Sequence, residues 1–316
     1  MPNQPEPETT KTAVIITHGD VDGMTCAAQL IRREQGDCRL VFSSAKWITH
    51  HLARELEGSR LPRRLYVTDI PASDSAADTV KELAAAGVEV YWIDHHPWRN
   101  GLLDRMRELC AQVEHNAALS TPAGVLVGAW LKEEDPYCER IGRICYASER
   151  GTEWERNWFR LLSHFIGKCD RPVLERLAYE QDFTPDDLEH IRHQERLEEI
   201  AQEILADEPR TLTTSGGRQL AVYYTADTPG VYLGGKVFRH HSVDYCLVRV
   251  LPRKWQLASR PRAGLSLAGL LGRHDLAGLT VSVGGRPDRL VSVTTDAADM
   301  PPDAHDRVTA WVVEKL

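Results

Sequence analysis

Between residue 12 and about residue 167 of this 316-residue chain, short apolar runs rich in β-branched residues alternate with longer stretches of helical periodicity. That alternation predicts a parallel α/β sheet, because parallel strands need a crossover of a dozen or more residues, usually a helix, to join them. The expected strands are 12–17, 39–43, 64–68 and 88–93. The expected helices are 23–34, 73–86 and 121–132, with Asp22, Ser73 and Thr121 near their N-terminal caps. Each strand stops in or next to polar residues, and three of the four stops are rich in Asp and His. In open α/β sheets ligands collect beyond the carboxyl ends of the strands, so those stops are where chemistry is expected.

Beyond this region residues 152–206 read as almost continuous helix. Its last part, 184–205, opens with Thr-Pro-Asp-Asp and carries a charged stripe including Glu195, Arg196, Glu198 and Glu199, as a solvated connecting helix would. From Thr211 the texture changes to short β-like runs at 219–224, 245–251, 255–259, 279–283 and 289–294, closed by a helix at 305–316. The expected organisation is a disordered N-terminus at 1–11, a catalytic α/β domain at 12–183, a connecting helix at 184–207 and a smaller α+β domain at 208–316. The smaller domain is expected to cover the open side of the site, with the helix as a tether.

Charge and cysteine usage narrow the partners. A formal charge of −8 lacks the basic footprint of a protein that grips a long duplex through many phosphates, so a nucleic-acid substrate should be short or held locally. The seven cysteines are scattered, with no C-x-x-C pair, and read as free thiols filling core positions. No run approaches the roughly 18 apolar residues that a membrane span needs, and the first residues are polar, unlike a signal peptide. A cytoplasmic protein with no membrane partner is expected.

Three segments carry candidate ligands. In Ile15-Ile16-Thr17-His18-Gly19-Asp20-Val21-Asp22-Gly23 a strand runs into His-x-Asp-x-Asp-Gly. Alternate residues of an extended segment share a side, so His18, Asp20 and Asp22 can converge there; the alternative for this motif by itself is an N-cap aspartate with surface loop acids. Tyr66-Val67-Thr68-Asp69-Ile70-Pro71 places a lone carboxylate at a strand tip, a position that turn residues also favour. Tyr91-Trp92-Ile93-Asp94-His95-His96-Pro97 ends a third strand. Two adjacent imidazoles are hard to justify as core filling, since each has a polar edge to satisfy. The other adjacent pairs, His50-His51 and His240-His241, are read as surface or second-site histidines.

In this order and at these spacings the three segments resemble the DHH phosphoesterases, a family of RecJ-type exonucleases, nanoRNases and phosphoadenosine-phosphate phosphatases. The resemblance extends to Phe165-Ile166-Gly167-Lys168-Cys169-Asp170-Arg171, where Asp170 matches a further family aspartate. It also extends to Leu271-Gly272-Arg273-His274-Asp275-Leu276-Ala277-Gly278, which is similar to a glycine-rich substrate loop with two of its three glycines missing. Ser259-Arg260 resembles a substrate-contacting element.

The family likeness implies a two-metal site. One ion takes His18, Asp20 and Asp69, and the other takes Asp22, Asp69, His95 and Asp170, with Asp69 as the bridge. Imidazole and carboxylate ligands without thiolate suit two Mn²⁺, with Mg²⁺ or Co²⁺ as substitutes. Asp94 is expected to hold a neighbouring histidine in its tautomer, and His96 to meet the scissile phosphate or protonate the leaving group. Substrate-binding candidates are Ser259, Arg260, Gly272, Arg273 and His274, with Tyr232, Lys236, Arg239 and His240 as further ones. The expected substrate is short single-stranded RNA or DNA, cut to nucleoside monophosphates, and a homodimer is compatible. Two alternatives stay open: a phosphatase for a small phosphorylated nucleotide, and an inactive scaffold that binds nucleic acid.

Overall fold

Alternate residues of the first strand face opposite sides of the sheet, and both sides are apolar. Ala13 and Ile15 enter one core, and Val14 and Ile16 enter another. A strand buried on both faces reads as a continuous apolar run, which is why it is legible in the sequence. The computed structural model describes residues 13–316 apart from 59, 118–120, 148–150, 169, 207, 225–235, 252, 261–264, 287–289 and 297–299; of 224, 239, 268, 285 and 286 it describes the backbone alone. The stretch 1–11, Cys169 and Tyr232 lie outside the described residues.

The chain divides into two compact units, Met1–Gln194 and Glu195–Leu316. The first is built on β1 (Ala13–His18), β2 (Cys38–Ser43), β3 (Arg64–Thr68), β4 (Glu89–Asp94) and β5 (Gln112–His115), in the order β2-β1-β3-β4-β5. Every pairing is parallel. Between them run α1 (Val21–Arg33), α2 (Ile48–Glu57), α3 (Asp74–Ala85) and α4 (Leu102–Leu109). After β5 come α5 (Ala123–Leu131), α6 (Pro136–Arg143), α7 (Glu153–His164), α8 (Arg171–Ala178) and α9 (Pro185–Ala206). One face of the sheet, through Tyr66 and Ile93, packs against α1 and α5 to α8; the other, through Leu65, Val67 and the fully buried Trp92, packs against α2, α3 and α4. Each such aliphatic side chain contributes roughly 1.5–3 kcal/mol when buried. No helix among the described residues is long and apolar enough to cross a membrane.

Several local expectations need correction. The N-cap of α1 is Asp20, which is extended and accepts from the Gly23 amide, so Asp22 lies inside the first turn. Pro122, not Thr121, precedes α5. The region 152–206 is three helices, interrupted at 165–170 and 179–184. Gly167 has φ 74°, and prolines open α8 and α9, a position where proline suits a helix start but not its interior. The polar edge strand β5 gives no apolar signal.

Among its described residues the second unit has seven strands: β6 (Arg210–Thr213), β7 (Gln219–Tyr224), β8 (Tyr245–Leu251), β9 (Lys254–Ser259), β10 (Gly272–Leu276), β11 (Leu279–Arg286) and β12 (Leu290–Thr294). Their order is β10-β11-β12-β9-β8-β7-β6, antiparallel except between β7 and β8. The short α10 (Val237–His240) and the closing α11 (Ala304–Lys315) complete it. The stretch expected to form a glycine-rich loop is instead the edge strand β10. Ala277 and Gly278 both take positive φ, which allows a two-residue turn and pairs β10 with β11.

Gly23 is where the site-bearing turn tolerates no side chain. A Cβ there would lie 2.1 Å from the His18 carbonyl oxygen, a backbone atom that cannot move aside alone. Gly23→Ala should therefore cost about 3 kcal/mol, seen in thermal unfolding as a Tm drop of roughly 6–12 °C; an unchanged Tm would mean that the turn is looser than this geometry.

Candidate metal centre

The strand order reverses between β1 and β3, and beyond the carboxyl ends of strands at such a reversal lies the crevice where α/β sheets bind ligands. The candidate residues stand at that rim. Thr17 is paired with Thr68, and Thr68 with Ile93, so His18, Asp69 and Asp94 follow one another across three neighbouring strand ends.

Asp69 is held there under constraint. Its φ is 56°, a left-handed conformation uncommon outside glycine and, away from a free surface turn, maintained only where surrounding structure fixes it. The fixing contacts are visible. The Asp69 amide donates to the Ile93 carbonyl at 3.0 Å. The Trp92 indole donates to the Ile70 carbonyl at 2.9 Å. The Thr68 hydroxyl donates to that of Thr17 at 2.8 Å, and Thr17 donates to the Gly23 carbonyl at 2.9 Å, tying β3, β1 and the start of α1 together.

The Asp69 carboxylate, 3% exposed as a residue, then faces two ways. Its Oδ2 is 3.7 Å from His18 Nδ1, which lies 3.0 Å from Asp20 Oδ2. Its Oδ1 is 3.4 Å from His95 Nε2, which lies 3.6 Å from Asp22 Oδ2. Two trios of ligand atoms, His18–Asp20–Asp69 and Asp69–His95–His96, each fall within 4.8 Å of one another, and Asp69 belongs to both. Asp69 Oδ2 and His95 Nδ1 are buried with no hydrogen-bond partner. A buried polar atom left unpaired costs roughly 1–3 kcal/mol, so such atoms call for a ligand. Oxygen and imidazole donors around a shared carboxylate fit divalent cations of the Mn²⁺ or Mg²⁺ kind.

Electrostatics agree. Burial, and then the charges of Asp22 and Asp20, push the Asp69 carboxyl well above its usual range. Burial also raises Asp22, partly offset by the Gly124 and Ala123 amides. Those amides, at the start of α5, donate to Asp22 Oδ1 and Oδ2 at 2.7 and 2.9 Å, a use of a helix N-terminus to hold an acid. Asp20 behaves oppositely: burial works against it, but the hydrogen bond and charge of His18 hold it down to about 2. The His18 imidazole is raised in return, chiefly by its bond to Asp20. Without cations the rim concentrates negative charge.

Asp94, fully buried, has hydrogen-bond partners of its own. It accepts from the His96 amide at 3.2 Å, from His96 Nδ1 at 2.8 Å and from the Trp98 indole at 2.7 Å. A carboxylate only accepts, so His96 carries its proton on Nδ1 and keeps the Nε2 lone pair free. His115, at the end of β5, reaches the His96 carbonyl at 2.8 Å and packs on Trp98 at 4.3 Å between ring centres. Trp98, His115 and the amides of Ala123 and Gly124 are contributors that sequence reading missed; only the small Ala-Gly pair after Pro122 hinted that an acid could approach.

No family model and no curated protein matches this sequence. Solved structures do match. A DHH-domain protein described as a member of a family of ribosomal proteins superposes with a TM-score of 0.59 at 14% identity, covering 95% of this chain and 85% of that one. The chain has a DHH-family fold. Exonuclease RecJ bound to manganese gives 0.50 at 15% identity, over 95% of this chain and 89% of that one. CDC45 from Entamoeba histolytica gives 0.53 at 9% identity, over 94% and 95%. At these identities the likeness is one of fold, and it spans both units.

Within this DHH fold the remaining candidates are dispersed. Asp170 is the N-cap residue of α8, in a segment drawn to the β1–α1 turn by the bond from the Gly167 amide to the Gly19 carbonyl, and it belongs to neither trio. In the second unit Ser259 is buried at the end of β9, and Arg260 donates to the carbonyls of Val243 and His241. Gly272 and Arg273 are exposed on β10, whereas His274 bonds the Leu270 carbonyl and packs on Trp311. Two strands separate β9 from β10, so these two groups stand about 14 Å apart across the sheet. Lys236 is half-buried before α10 and His240 is exposed.

Neutralising the shared carboxylate separates its two effects. In metal-free protein, Asp69→Asn removes a buried like charge and should raise Tm. In wild type, Mn²⁺ at about a hundredfold over Kd should add about 2.7 kcal/mol, and the variant should lose that increment. Thermal scans with and without Mn²⁺ check both, and a variant that is still stabilised by Mn²⁺ contradicts the shared-ligand arrangement.

Proposed function

We propose that this chain is a metal-dependent phosphoesterase that hydrolyses phosphodiester bonds of short oligonucleotides and releases nucleoside monophosphates, using two divalent cations, Mn²⁺ by preference. The observation that carries this reading is the Asp69 carboxylate, one oxygen toward His18 and Asp20 and the other toward His95 and Asp22. The manganese in a fold relative, exonuclease RecJ, supports the choice of metal and of reaction class.

His18, Asp20 and Asp69 would hold one cation, and Asp22, Asp69 and His95 the other, with Asp170 assigned to a remaining position on the second. Bound there, divalent cations supply Lewis acidity, making water acidic enough to act as a nucleophile and offsetting charge on a phosphoryl group. The protein's own part is positional. Asp69 is locked by β3 and β4, and Asp22 by the start of α5. Asp94 fixes the His96 ring so that its Nε2 can bind the phosphate or, once protonated, give a proton to the leaving oxygen. The net charge of −8 supports a short substrate over a long one.

Incubation of end-labelled RNA and DNA of about 2 to 20 nucleotides with Mn²⁺ tests the reading, the range bracketing usual single-strand site sizes. Mononucleotides should accumulate. Asp94→Asn should lower kcat roughly 10–100-fold while Mn²⁺ still stabilises the fold. Consumption of bis-phosphorylated nucleosides alone would move the activity to a small-nucleotide phosphatase, and tight binding without turnover in any divalent cation would reduce the chain to a scaffold.

A further inference from the structure

An acidic molecule has little reason to gather arginines in a hollow, yet one lies beside the edge strand of the first sheet. A cavity of about 360 Å³ is lined by Arg39 and Val41 of β2, by His51, Arg54 and Glu55 of α2, and by Arg60 just beyond it. Glu55 is buried and paired with Arg39. Arg54 and Arg60 make no ion pair among the described residues and are exposed. The lining thus carries three guanidinium groups against one carboxylate, and guanidinium forks suit phosphate oxygens. The local potential is felt by His51: burial, then the charges of His50, Arg54 and Arg39, hold its imidazole below the usual range, with Glu55 pulling the other way.

The hollow shares strand β2 and helix α2 with residues that lead up to the rim level of the sheet. Trp47, His51 and Arg54 succeed one another at helical spacing along one side of α2, next to the buried stripe of Ile48, Leu52 and Glu55. Ser43 is paired with His18, so Val41 is about 7 Å and Arg39 about 13 Å below the rim along β2. At the top of this stripe Trp47 is 52% exposed, unusual for so large an aromatic, with Lys46 Nζ 5.1 Å from its ring centre and His50 at 6.1 Å. Aromatic faces beside a basic groove are how single strands are held without sequence preference.

We propose that the α2–β2 cavity binds a backbone phosphate of a single-stranded oligonucleotide, with a neighbouring base stacked on Trp47. The site deepens the oligonucleotide reading above, but binding there requires no metal and no cleavage. A phosphate in the hollow meets Arg54 and Arg60 directly, while Arg39, tied to Glu55, sets the floor. It gives an otherwise acidic protein one local hold on its substrate, on the edge strand two positions from β3, at whose end Asp69 stands.

The test uses the full chain in EDTA and follows fluorescence anisotropy of a labelled single strand of about eight nucleotides, a length inside the usual site size for such grooves. The double variant Arg54→Ala with Arg60→Ala, both exposed positions, should bind about tenfold or more weakly at an unchanged Tm. Its plot of log affinity against log salt should be shallower by about 0.7, the value for one lost phosphate contact. Trp47→Ala should weaken binding about tenfold with the salt slope unchanged. Equal affinity and slope in wild type and the double variant would overturn the proposal. So would binding of inorganic phosphate that depends on these arginines while the strand's affinity does not, which would make the hollow a free-anion site. An acidic peptide bound as tightly as the strand, indifferent to Trp47→Ala, would assign it to a protein partner instead. The expected anisotropy changes without mononucleotide release in Mn²⁺ would uphold the cavity and sink the hydrolytic reading alone.

Discussion

The rim depends on one buried carboxylate that is stable only in company. Asp69 sits at φ 56° with Asp20 and Asp22 nearby and with Oδ2 lacking a hydrogen-bond partner. A folded chain keeps such a group only if its neighbours over-determine it, and here three adjacent strand ends do so through the Ile93 and Ile70 carbonyls and the Thr17–Thr68 pair. The same contacts that compel an unfavourable backbone also aim one carboxylate oxygen at each of two imidazoles. Cations between them turn mutual repulsion into attraction, so the cost of burial and the capacity for chemistry are one property.

The surrounding scaffold divides the labour. Cores on both faces of the sheet make the strand ends rigid, and the reversal of order at β1 and β3 opens the crevice. Hydrogen bonds behind the rim set its side chains: the α5 amides hold Asp22, and Asp94, which also takes the Trp98 indole, holds His96. Ligands oriented in this way need little reorganisation when a cation arrives. The second unit is a complete sheet with its own two cores, and two of its candidate groups, Arg260 and His274, spend hydrogen bonds on holding their own loops and helix.

How much of this can be read from the sequence follows from which forces leave a local trace. Buried parallel strands leave apolar runs, so β1, β3 and β4 are legible almost to the residue, and with them His18, Asp69 and Asp94 at their ends. Edge strands are half-solvated, so β5, β6 and β10 leave no such run, and β10 reads as a glycine-rich loop. The breaks at 165–170 and 179–184 depend on turn geometry at single residues such as Gly167. The two-faced placement of Asp69 follows from strand pairing between distant segments, which one sequence does not display. Trp98 and His115 likewise matter only because β4 and β5 are neighbours. The His50-His51 pair, read as surface or second-site, proves to hold one exposed ring and one lining a basic hollow.

Crystals grown with Mn²⁺ and measured at the manganese absorption edge would show whether Asp69 is shared between two cations. Two anomalous peaks are expected, one beside His18 and Asp20 and one beside His95 and Asp22, each about 2.0–2.2 Å from a different Asp69 oxygen, a usual metal–carboxylate distance. A single peak, or two peaks with Asp69 bound to neither, would contradict that sharing.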